Sequence, residues 1–319
     1  MWDLLGAHEG RIEDIITAGD AAIAASGDGT VALWPPDGSA PRVLASFRKQ
    51  AALSLALDDR DLVIGTSEAV YRLALGAPAA PRRVLDAAAQ DCIAVGVAVH
   101  GGTIAVALHD EANGSDHPIT VLERDGRTRW STTVRYWPYG IQFSPDGREV
   151  VVNSWDGKLY RFDAATGDEH DETPWIAAAL VDAAWVGPAE LAVASLDGTL
   201  GVWDLARGAL VDQLPNDDGW TAVAVTGDRG LLAAGDNRGG LVIRQHAAHH
   251  TGASLDAAAR PDLERPWASA RQATMFPSNG EFKAIGGDRV ITALAFHPRA
   301  WRLFAGFHDG AVACLELET

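Results

Sequence analysis

The sequence contains little cysteine, methionine or lysine. Of its 319 residues, two are cysteine and two are methionine, and lysine occurs only as Lys49, Lys158 and Lys283. Cys92 and Cys314 each lie in an apolar alternating segment, which is typical of small buried thiols in a reducing compartment. We therefore expect two free thiols and a cytoplasmic protein.

Long hydrophobic runs are also missing. No stretch of about 18 or more apolar residues occurs, so the sequence predicts no membrane span. Residues 1–6 include neither a basic stretch nor a long apolar one, so we expect no secretory signal. Helical periodicity is absent except at residues 255–272, where we expect one or two short helices around Pro261 and Pro266.

Basic residues are fewer than acidic ones. The chain has 26 basic and 43 acidic residues, a formal net charge of −17. Binding along a nucleic acid needs a basic stripe, and an anionic membrane surface likewise attracts basic segments. We therefore expect neither nucleic acid nor membrane as a partner. The hydrophobic share of 47% is nevertheless enough for a real core.

Catalytic signatures are missing as well. The chain has no G-x-S-x-G elbow and no glycine-rich nucleotide loop, and neither cysteine has an activating neighbour in sequence. Several aspartates lie in Asp-Gly turns, which turn chemistry explains. The one histidine cluster, at positions 246, 249 and 250, has no further ligands nearby. We therefore expect no catalytic residues, no metal and no cofactor.

What the sequence does contain is a repeated unit of about 40 residues. A turn of the Asp-Gly kind followed by a short apolar strand recurs at intervals of 39, 49, 40, 41, 41 and 71 residues. Such a period is expected when each unit is four short strands, and the two longer intervals contain insertions. The residues that mark the repeat are Val31, Val70, Ile119, Leu159, Leu200, Leu241 and Val312.

Two more short apolar runs precede each of these strands. They are rich in Val, Ile and Ala and bounded by Gly, Pro and Asp, as strands are. Many are apolar at nearly every position, which fits strands covered on both faces by neighbouring sheets. The sequence therefore predicts an all-β fold, a single seven-bladed β-propeller over residues 1–319. An insertion is expected at about 245–287, between blades six and seven.

The two ends of the chain predict how the ring closes. The last unit has only three strands before position 319, and residues 1–5 form an apolar strand without a sheet of its own. The simplest arrangement is that the N-terminal strand completes the last blade, because this leaves no long unpaired edge.

Two blades contain a recognisable motif. Residues 6–8 read Gly-Ala-His and residues 28–34 read Asp-Gly-Thr-Val-Ala-Leu-Trp, while residues 197–204 read Asp-Gly-Thr-Leu-Gly-Val-Trp-Asp. On these motifs the chain resembles the WD-repeat β-propellers, in a degenerate version of bacterial type. Residues 162–167, Phe-Asp-Ala-Ala-Thr-Gly, also resemble the quinoprotein-type propellers.

The resemblance implies a structural role for one set of side chains. In WD repeats a His, a Ser or Thr, the turn Asp and the Trp form a hydrogen-bonded group within a blade. Blade five has no His at the matching position. The residues assigned to this role are His8, Ser26, Asp28 and Trp34 in blade one, and Ser195, Asp197 and Trp203 in blade five.

Aromatic residues mark the candidate binding surface. Tryptophan is over-used, at 11 residues, and several Trp and Tyr lie in loops that a propeller presents on one common rim. Loops on a rigid scaffold often carry function, and Trp and Tyr are enriched at binding hot spots. The candidate partner-binding residues are Tyr136, Trp137, Tyr139, Trp155, Trp175, Trp220 and, in the insertion, Trp267.

The sequence thus predicts a non-catalytic interaction scaffold or adaptor that binds one or more proteins through its rim loops. A place in a larger complex is compatible with this prediction. The alternative that stays open is a metal-dependent hydrolase or lyase that uses the central channel of the propeller.

Overall fold

Seven antiparallel sheets follow one another around a ring in a computed structural model. It describes residues 2–76, 80–110, 112, 115–170, 176, 178–215, 218–226, 230–245, 274–275, 280–281, 289–298 and 300–317. The innermost strand of each sheet contacts that of the next sheet, and the first sheet contacts the last. The predicted seven-bladed propeller is confirmed. The innermost strands are β2 (Ile12–Ala18), β6 (Ala52–Asp58), β10 (Cys92–His100), β14 (Pro138–Phe143), β17 (Leu180–Trp185), β21 (Trp220–Val225) and β26 (Ile291–Phe296).

The second strand of each blade is buried on both faces. In blade five, Leu191 and Val193 pack against blade four, and the alternate residues Ala192 and Ala194 pack against blade six. Neither face meets water, so these strands are apolar at nearly every position. The second strands are β3 (Ala21–Ser26), β7 (Asp61–Thr66), β11 (Thr103–Asp110), β15 (Glu149–Ser154), β18 (Glu190–Ser195), β22 (Leu231–Asp236) and β27 (Arg302–Phe307).

The core is divided among the junctions between blades. Seven apolar clusters are present among the described residues, and each joins two neighbouring blades. No blade therefore buries its apolar residues alone. The third strands, which contain the repeat-marking residues, are β4 (Thr30–Trp34), β8 (Ala69–Ala74), β12 (His117–Leu122), β16 (Leu159–Asp163), β19 (Thr199–Asp204), β23 (Leu241–Gln245) and β28 (Ala311–Glu316).

The N-terminal strand β1 (Trp2–Ala7) is the outer strand of blade seven. It pairs antiparallel with β28, from Trp2 opposite Leu315 to Ala7 opposite Ala311. This pairing confirms the predicted closure. Among the described residues, blades four and six have three strands each. The remaining outer strands are β5 (Arg42–Ser46), β9 (Arg82–Asp86), β13 (Thr128–Val134) and β20 (Ala209–Pro215).

Little of the expected insertion belongs to the described part of the chain. Within residues 246–287 the structure describes β24 (Thr274–Met275) and β25 (Gly280–Glu281), which pair with each other. The helices expected at residues 255–272 lie outside the described residues. A short 3-10 helix spans Ala88–Gln90. No helix in the described residues is long and apolar enough to cross a membrane.

A chain of hydrogen bonds links β1 and β4 through side chains. Trp34 Nε1 donates to His8 Nε2 at 3.1 Å, so the proton of the neutral His8 ring is on Nδ1. His8 Nδ1 therefore donates to Thr30 Oγ1 at 2.7 Å, and that hydroxyl donates to Asp28 Oδ1 at 2.6 Å. Burial lowers the pKa of His8, and Asp28 opposes this effect. The lowered pKa keeps the ring neutral, as the chain of hydrogen bonds requires.

The hydroxyl in this group is not the one assigned from the resemblance. Thr30 bridges His8 and Asp28, whereas Ser26 donates to the Gly10 carbonyl at 3.0 Å and accepts the Asp28 N–H at 3.2 Å. Ser26 therefore fixes the turn after β3 instead of contacting the histidine.

Blade five lacks the corresponding chain of hydrogen bonds. Ser195 Oγ accepts the Asp197 N–H at 3.3 Å, and Asp197 accepts the N–H groups of Thr199 and Ala178. Trp203 Nε1 is buried and has no hydrogen-bond partner among the described residues. The missing histidine therefore leaves one indole donor unsatisfied.

Removal of residues 2–7 tests the closure. We expect this deletion to lower the free energy of unfolding by on the order of 3 kcal/mol, because β28 loses a paired strand and part of its cover. The exposed edge of β28 should also promote self-association. Urea unfolding and light scattering measure the two effects. An equally stable monomer would show that β1 is dispensable.

The two tryptophans offer a matched comparison. Trp34→Phe leaves His8 Nε2 buried without its donor, whereas Trp203→Phe removes an N–H that already lacks a partner. We therefore expect Trp34→Phe to be more destabilising than Trp203→Phe by about 2 kcal/mol in urea unfolding. Equal losses would mean that the hydrogen bond to His8 adds nothing to stability.

Candidate functional site

Aromatic side chains gather on the upper face of blade four, meaning the face where the turns between second and third strands emerge. Tyr136, Trp137 and Trp155 are 42, 47 and 48% exposed, and Tyr139 is partly buried. The Trp155 ring centroid lies 6.1 Å from that of Trp137 and 6.0 Å from that of Tyr139. These four residues are called the aromatic surface below.

Backbone hydrogen bonds fix the two tryptophans relative to each other. Trp137 immediately precedes β14, and Trp155 immediately follows β15. The Trp137 carbonyl accepts the Trp155 N–H at 2.8 Å and the Ser154 hydroxyl at 3.2 Å. The two loops are thus joined before any ligand arrives. A partner that binds here loses less free energy to ordering the surface.

Two histidines of blade three continue the row of rings. The His109 ring meets Trp137 edge-on, with centroids 4.6 Å apart, and stacks on His117 at 5.0 Å. His117 is fully buried, and its Nδ1 accepts the Asp110 N–H at 3.1 Å. Burial, reinforced by His109, lowers the pKa of His117 and so keeps it neutral. Sequence spacing did not indicate this contact between blades.

A basic side chain of the protein itself already contacts one of these rings. The guanidinium carbon of Arg135 lies 5.6 Å from the centroid of the Tyr136 ring. This is the distance range of a cation–π contact. The rings of the aromatic surface are thus oriented so that a cation can approach one of their faces.

A β-bulge lies at Tyr139, near the start of the innermost strand of blade four. Every innermost strand shifts its register near its start, and the bulge bends the strand and re-aims one side chain. The repeat spacing of the sequence does not indicate these bulges. The bulged residues are Glu13, Leu53, Val95, Tyr139, Val181, Thr221 and Thr292.

Two carboxylates occupy the position after the bulge, Asp14 in blade one and Asp182 in blade five. In each, one oxygen accepts the N–H of the following residue and the other accepts an N–H from the next blade. Each aspartate therefore ties its blade to the next. The donors are Ile15 (2.7 Å) and Leu55 (2.7 Å) for Asp14, and Ala183 (2.8 Å) and Val223 (2.8 Å) for Asp182.

The pKa values of both carboxyl groups are raised. Burial raises the pKa of Asp14 to about 6 and that of Asp182 to about 7, although the backbone N–H groups counteract it. Asp14 adds to the rise at Asp182. Blades one and five lie on opposite sides of the ring, so this repulsion acts across the axis.

The other expected partner-binding residues do not join the aromatic surface. Trp220 is 2% exposed and donates through Nε1 to the Gly198 carbonyl at 3.0 Å. It packs between blades five and six, so the expectation of an exposed Trp220 is not met. Trp175 and Trp267 lie outside the described residues.

The described residues contain no cluster of three or more His, Cys, Asp or Glu side chains that could hold a metal ion. Both cysteines are free and buried. Burial raises the pKa of the Cys314 thiol to about 12, so the unreactive thiol form dominates at neutral pH.

Comparisons with known proteins identify the fold. No protein-family profile matches the chain, and no curated protein sequence matches it. The crystal structure of the WD40 β-propeller domain of Doa1 superimposes with a TM-score of 0.74 and 13% sequence identity. The match covers 100% of this chain and 98% of the other. At this identity the likeness is one of fold, and the chain is a WD40-like propeller.

The raised pKa of Asp182 has a consequence for stability. Well below pH 3.8 the Asp182 carboxyl is protonated in both the folded and the unfolded chain. As the pH rises, the unfolded chain releases this proton near 3.8, whereas the folded chain keeps it to about 7. Stability therefore falls with rising pH between those values. Relative to Asp182→Asn, we expect the wild type to lose on the order of 2 kcal/mol over this range.

Urea unfolding of both proteins at several pH values measures this difference. Because other titrating groups are common to both, subtraction isolates Asp182. A difference that does not change between about pH 4 and pH 7 would mean that the folded and unfolded chains hold this proton equally well.

Proposed function

We propose that this protein is a non-catalytic scaffold that binds partner proteins through the aromatic surface. The observation that carries the proposal is the pair of half-exposed, backbone-locked tryptophans, Trp137 and Trp155. Large aromatic side chains left in water at fixed positions are typical anchors of protein interfaces. WD40-like propellers commonly act in protein–protein interactions, which supports the same role.

The distribution of exposed apolar side chains favours the same face. Among the described residues, seven large hydrophobic side chains are exposed, and four of them lie on the upper face of blades four and five. The rings of Trp137 and Trp155 are neighbours, and contiguous apolar exposure marks interaction sites, whereas single exposed residues do not. The four are Tyr136, Trp137, Trp155 and Leu196.

We further propose a cytoplasmic location and a place in a larger complex. Both cysteines are buried free thiols, which suits a reducing compartment. The acidic chain, with a net charge of −17, favours protein partners over nucleic acid or anionic membranes.

Alanine variants of the two tryptophans test the proposal. We expect Trp137→Ala and Trp155→Ala each to weaken capture of the partner by about 2 kcal/mol, roughly 30-fold in affinity, because each removes an anchor. Affinity capture from the native host with quantitative mass spectrometry identifies the partner. Titration of the purified partner then gives the affinities.

Val43→Ala is the matched control, because Val43 is 61% exposed but lies on the outer strand β5, away from the aromatic surface. This variant should capture the partner as the wild type does. Circular dichroism confirms that all three variants are folded. Full capture by both tryptophan variants would rule out the aromatic surface as the docking site.

A further inference from the structure

We propose that the aromatic surface binds a basic segment of the partner protein, whose arginine side chains stack on the rings of Trp137 and Trp155. The inference rests on the proposed function, because it takes the aromatic surface as the docking site and adds the chemistry of the partner. Exposed rings, a guanidinium that already stacks on this surface, and carboxylates at both ends of the row of rings support it.

The two exposed indole rings suit a cation. Trp attracts a cation over its face more strongly than Tyr or Phe does. Trp137 and Trp155 are about half exposed. Within the described part of the chain, the only basic side chain over an aromatic ring is Arg135, which lies over Tyr136. No basic side chain of these residues therefore competes with a partner for the two indoles.

Arg135 shows which kind of cation this surface accepts. Its guanidinium carbon lies 5.6 Å from the centroid of the Tyr136 ring, and Tyr136 directly precedes Trp137 in the chain. A guanidinium is planar and weakly hydrated, so it can stack on a ring while the N–H groups at its edge stay free to donate. The ammonium group of lysine is more strongly hydrated. An arginine of the partner therefore fits the exposed rings better than a lysine does.

Carboxylates flank the end of the row of rings that lies in blade three. Asp110 directly follows His109, the histidine that contacts Trp137. Asp116 is exposed and directly precedes His117, which stacks on His109. The N–H of Asp110 donates to His117 Nδ1 at 3.1 Å, which joins the two ends of this loop. Both carboxylates therefore belong to the loop that touches the aromatic surface.

A further carboxylate flanks the other end, in blade five. The Gly157 carbonyl, in the turn that Trp155 begins, accepts the Ile176 N–H at 2.8 Å. Two residues along, the Ala178 N–H donates to Asp197 Oδ2 at 3.0 Å. This path places Asp197 Oδ2 at most about 13 Å from the Gly157 carbonyl, a distance that a few residues of an extended peptide span. Asp197 is exposed.

The charge balance around the aromatic surface is acidic. The loops that form and flank it are residues 110–116, 135–137, 155–158 and 196–198, and their described residues include four acidic and two basic ones. The whole chain has a net charge of −17. Both the local and the overall charge therefore complement a basic segment. The charged residues are Asp110, Asp116, Asp156 and Asp197 against Arg135 and Lys158.

A short peptide tests this chemistry without the partner. The probe is acetyl-Gly-Arg-Gly-Arg-Gly-amide, and the control is the same peptide with citrulline at both arginine positions, which keeps the shape and removes the charge. Ligand-observed NMR titrations measure binding of each peptide to the full chain. We expect saturable binding of the arginine peptide and at least about tenfold weaker binding of the citrulline peptide.

Trp155→Leu tests whether the ring itself holds the cation. Leucine keeps an apolar side chain at this position but has no π face. We expect this variant to bind the arginine peptide about fivefold more weakly than the wild type does, because one cation–π contact is lost. Unchanged binding would show that the arginine peptide does not stack on Trp155.

Two carboxylate variants and a matched control test the flanking charges. Asp116→Asn and Asp197→Asn each remove one charge from a flank, and each should weaken binding by about threefold. Asp59→Asn is the control, because Asp59, like Asp116, is exposed and has a positive φ, 53° against 66°. It lies between β6 and β7, in a turn on the opposite face. This variant should bind as the wild type does.

Four results would overturn the inference: no saturable binding of the arginine peptide, equal binding of both peptides, unchanged binding by Trp155→Leu, or equal losses in Asp59→Asn and Asp116→Asn. The last result would mean that net charge alone attracts the peptide. Where circular dichroism shows a variant to be unfolded, the comparison of the two peptides on the wild type still decides the matter.

Failure of the proposed function is read separately, from capture of the partner. Reduced capture by Trp137→Ala and Trp155→Ala together with no binding of the arginine peptide would leave the docking site in place and overturn the basic segment. Full capture by both variants would contradict the proposed function itself, whatever the peptide does.

Discussion

The structure depends on one constraint, that no blade can bury its apolar residues alone. The middle strands have apolar side chains on both faces, and every apolar cluster is shared by two neighbouring blades. The sheets are therefore stable only as a closed ring, and the ring stays closed only if its last sheet is complete. The antiparallel pairing of β1 with β28 meets that condition. It joins residues far apart in sequence and covers an edge that would otherwise be exposed.

This constraint explains why the architecture could be predicted from the sequence. Burial on both faces produces uninterrupted apolar runs, and the turns between them need Asp and Gly at regular intervals, so seven units follow from spacing alone. The exposure of Trp137 and Trp155 agrees with their placement in loops at one rim. Trp220 instead has the place of Pro138, the strand residue directly before the bulge, and the residue at that place is buried in every blade. The repeat spacing does not show the bulge, so it does not distinguish this buried strand residue from a loop residue.

The contacts that define the site are of the kind that local patterns do not encode. The stacked pair His109 and His117 reaches Trp137 from another blade, and Asp14 and Asp182 each accept an N–H from the next blade. In blade one, Thr30 instead of Ser26 contacts His8, because the geometry of the turn decides which hydroxyl is near the ring. Each of these contacts needs the closed ring before it exists, so a reading of single repeats misses it.

A comparison of the seven bulged strands distinguishes the features that the fold requires from those that it tolerates. Closure needs the bulge, which all seven innermost strands have, but it does not need a carboxylate after it. Gly96, Gly140, Ala222 and Ala293 take that position without one. Asp14 and Asp182 therefore lower stability at neutral pH in a ring that closes elsewhere with neutral residues. Strongly shifted carboxyl groups that a fold does not need tend to occur at functional positions. In this ring each of the two carboxylates joins its blade to the next through a backbone N–H, that of Leu55 for Asp14 and that of Val223 for Asp182.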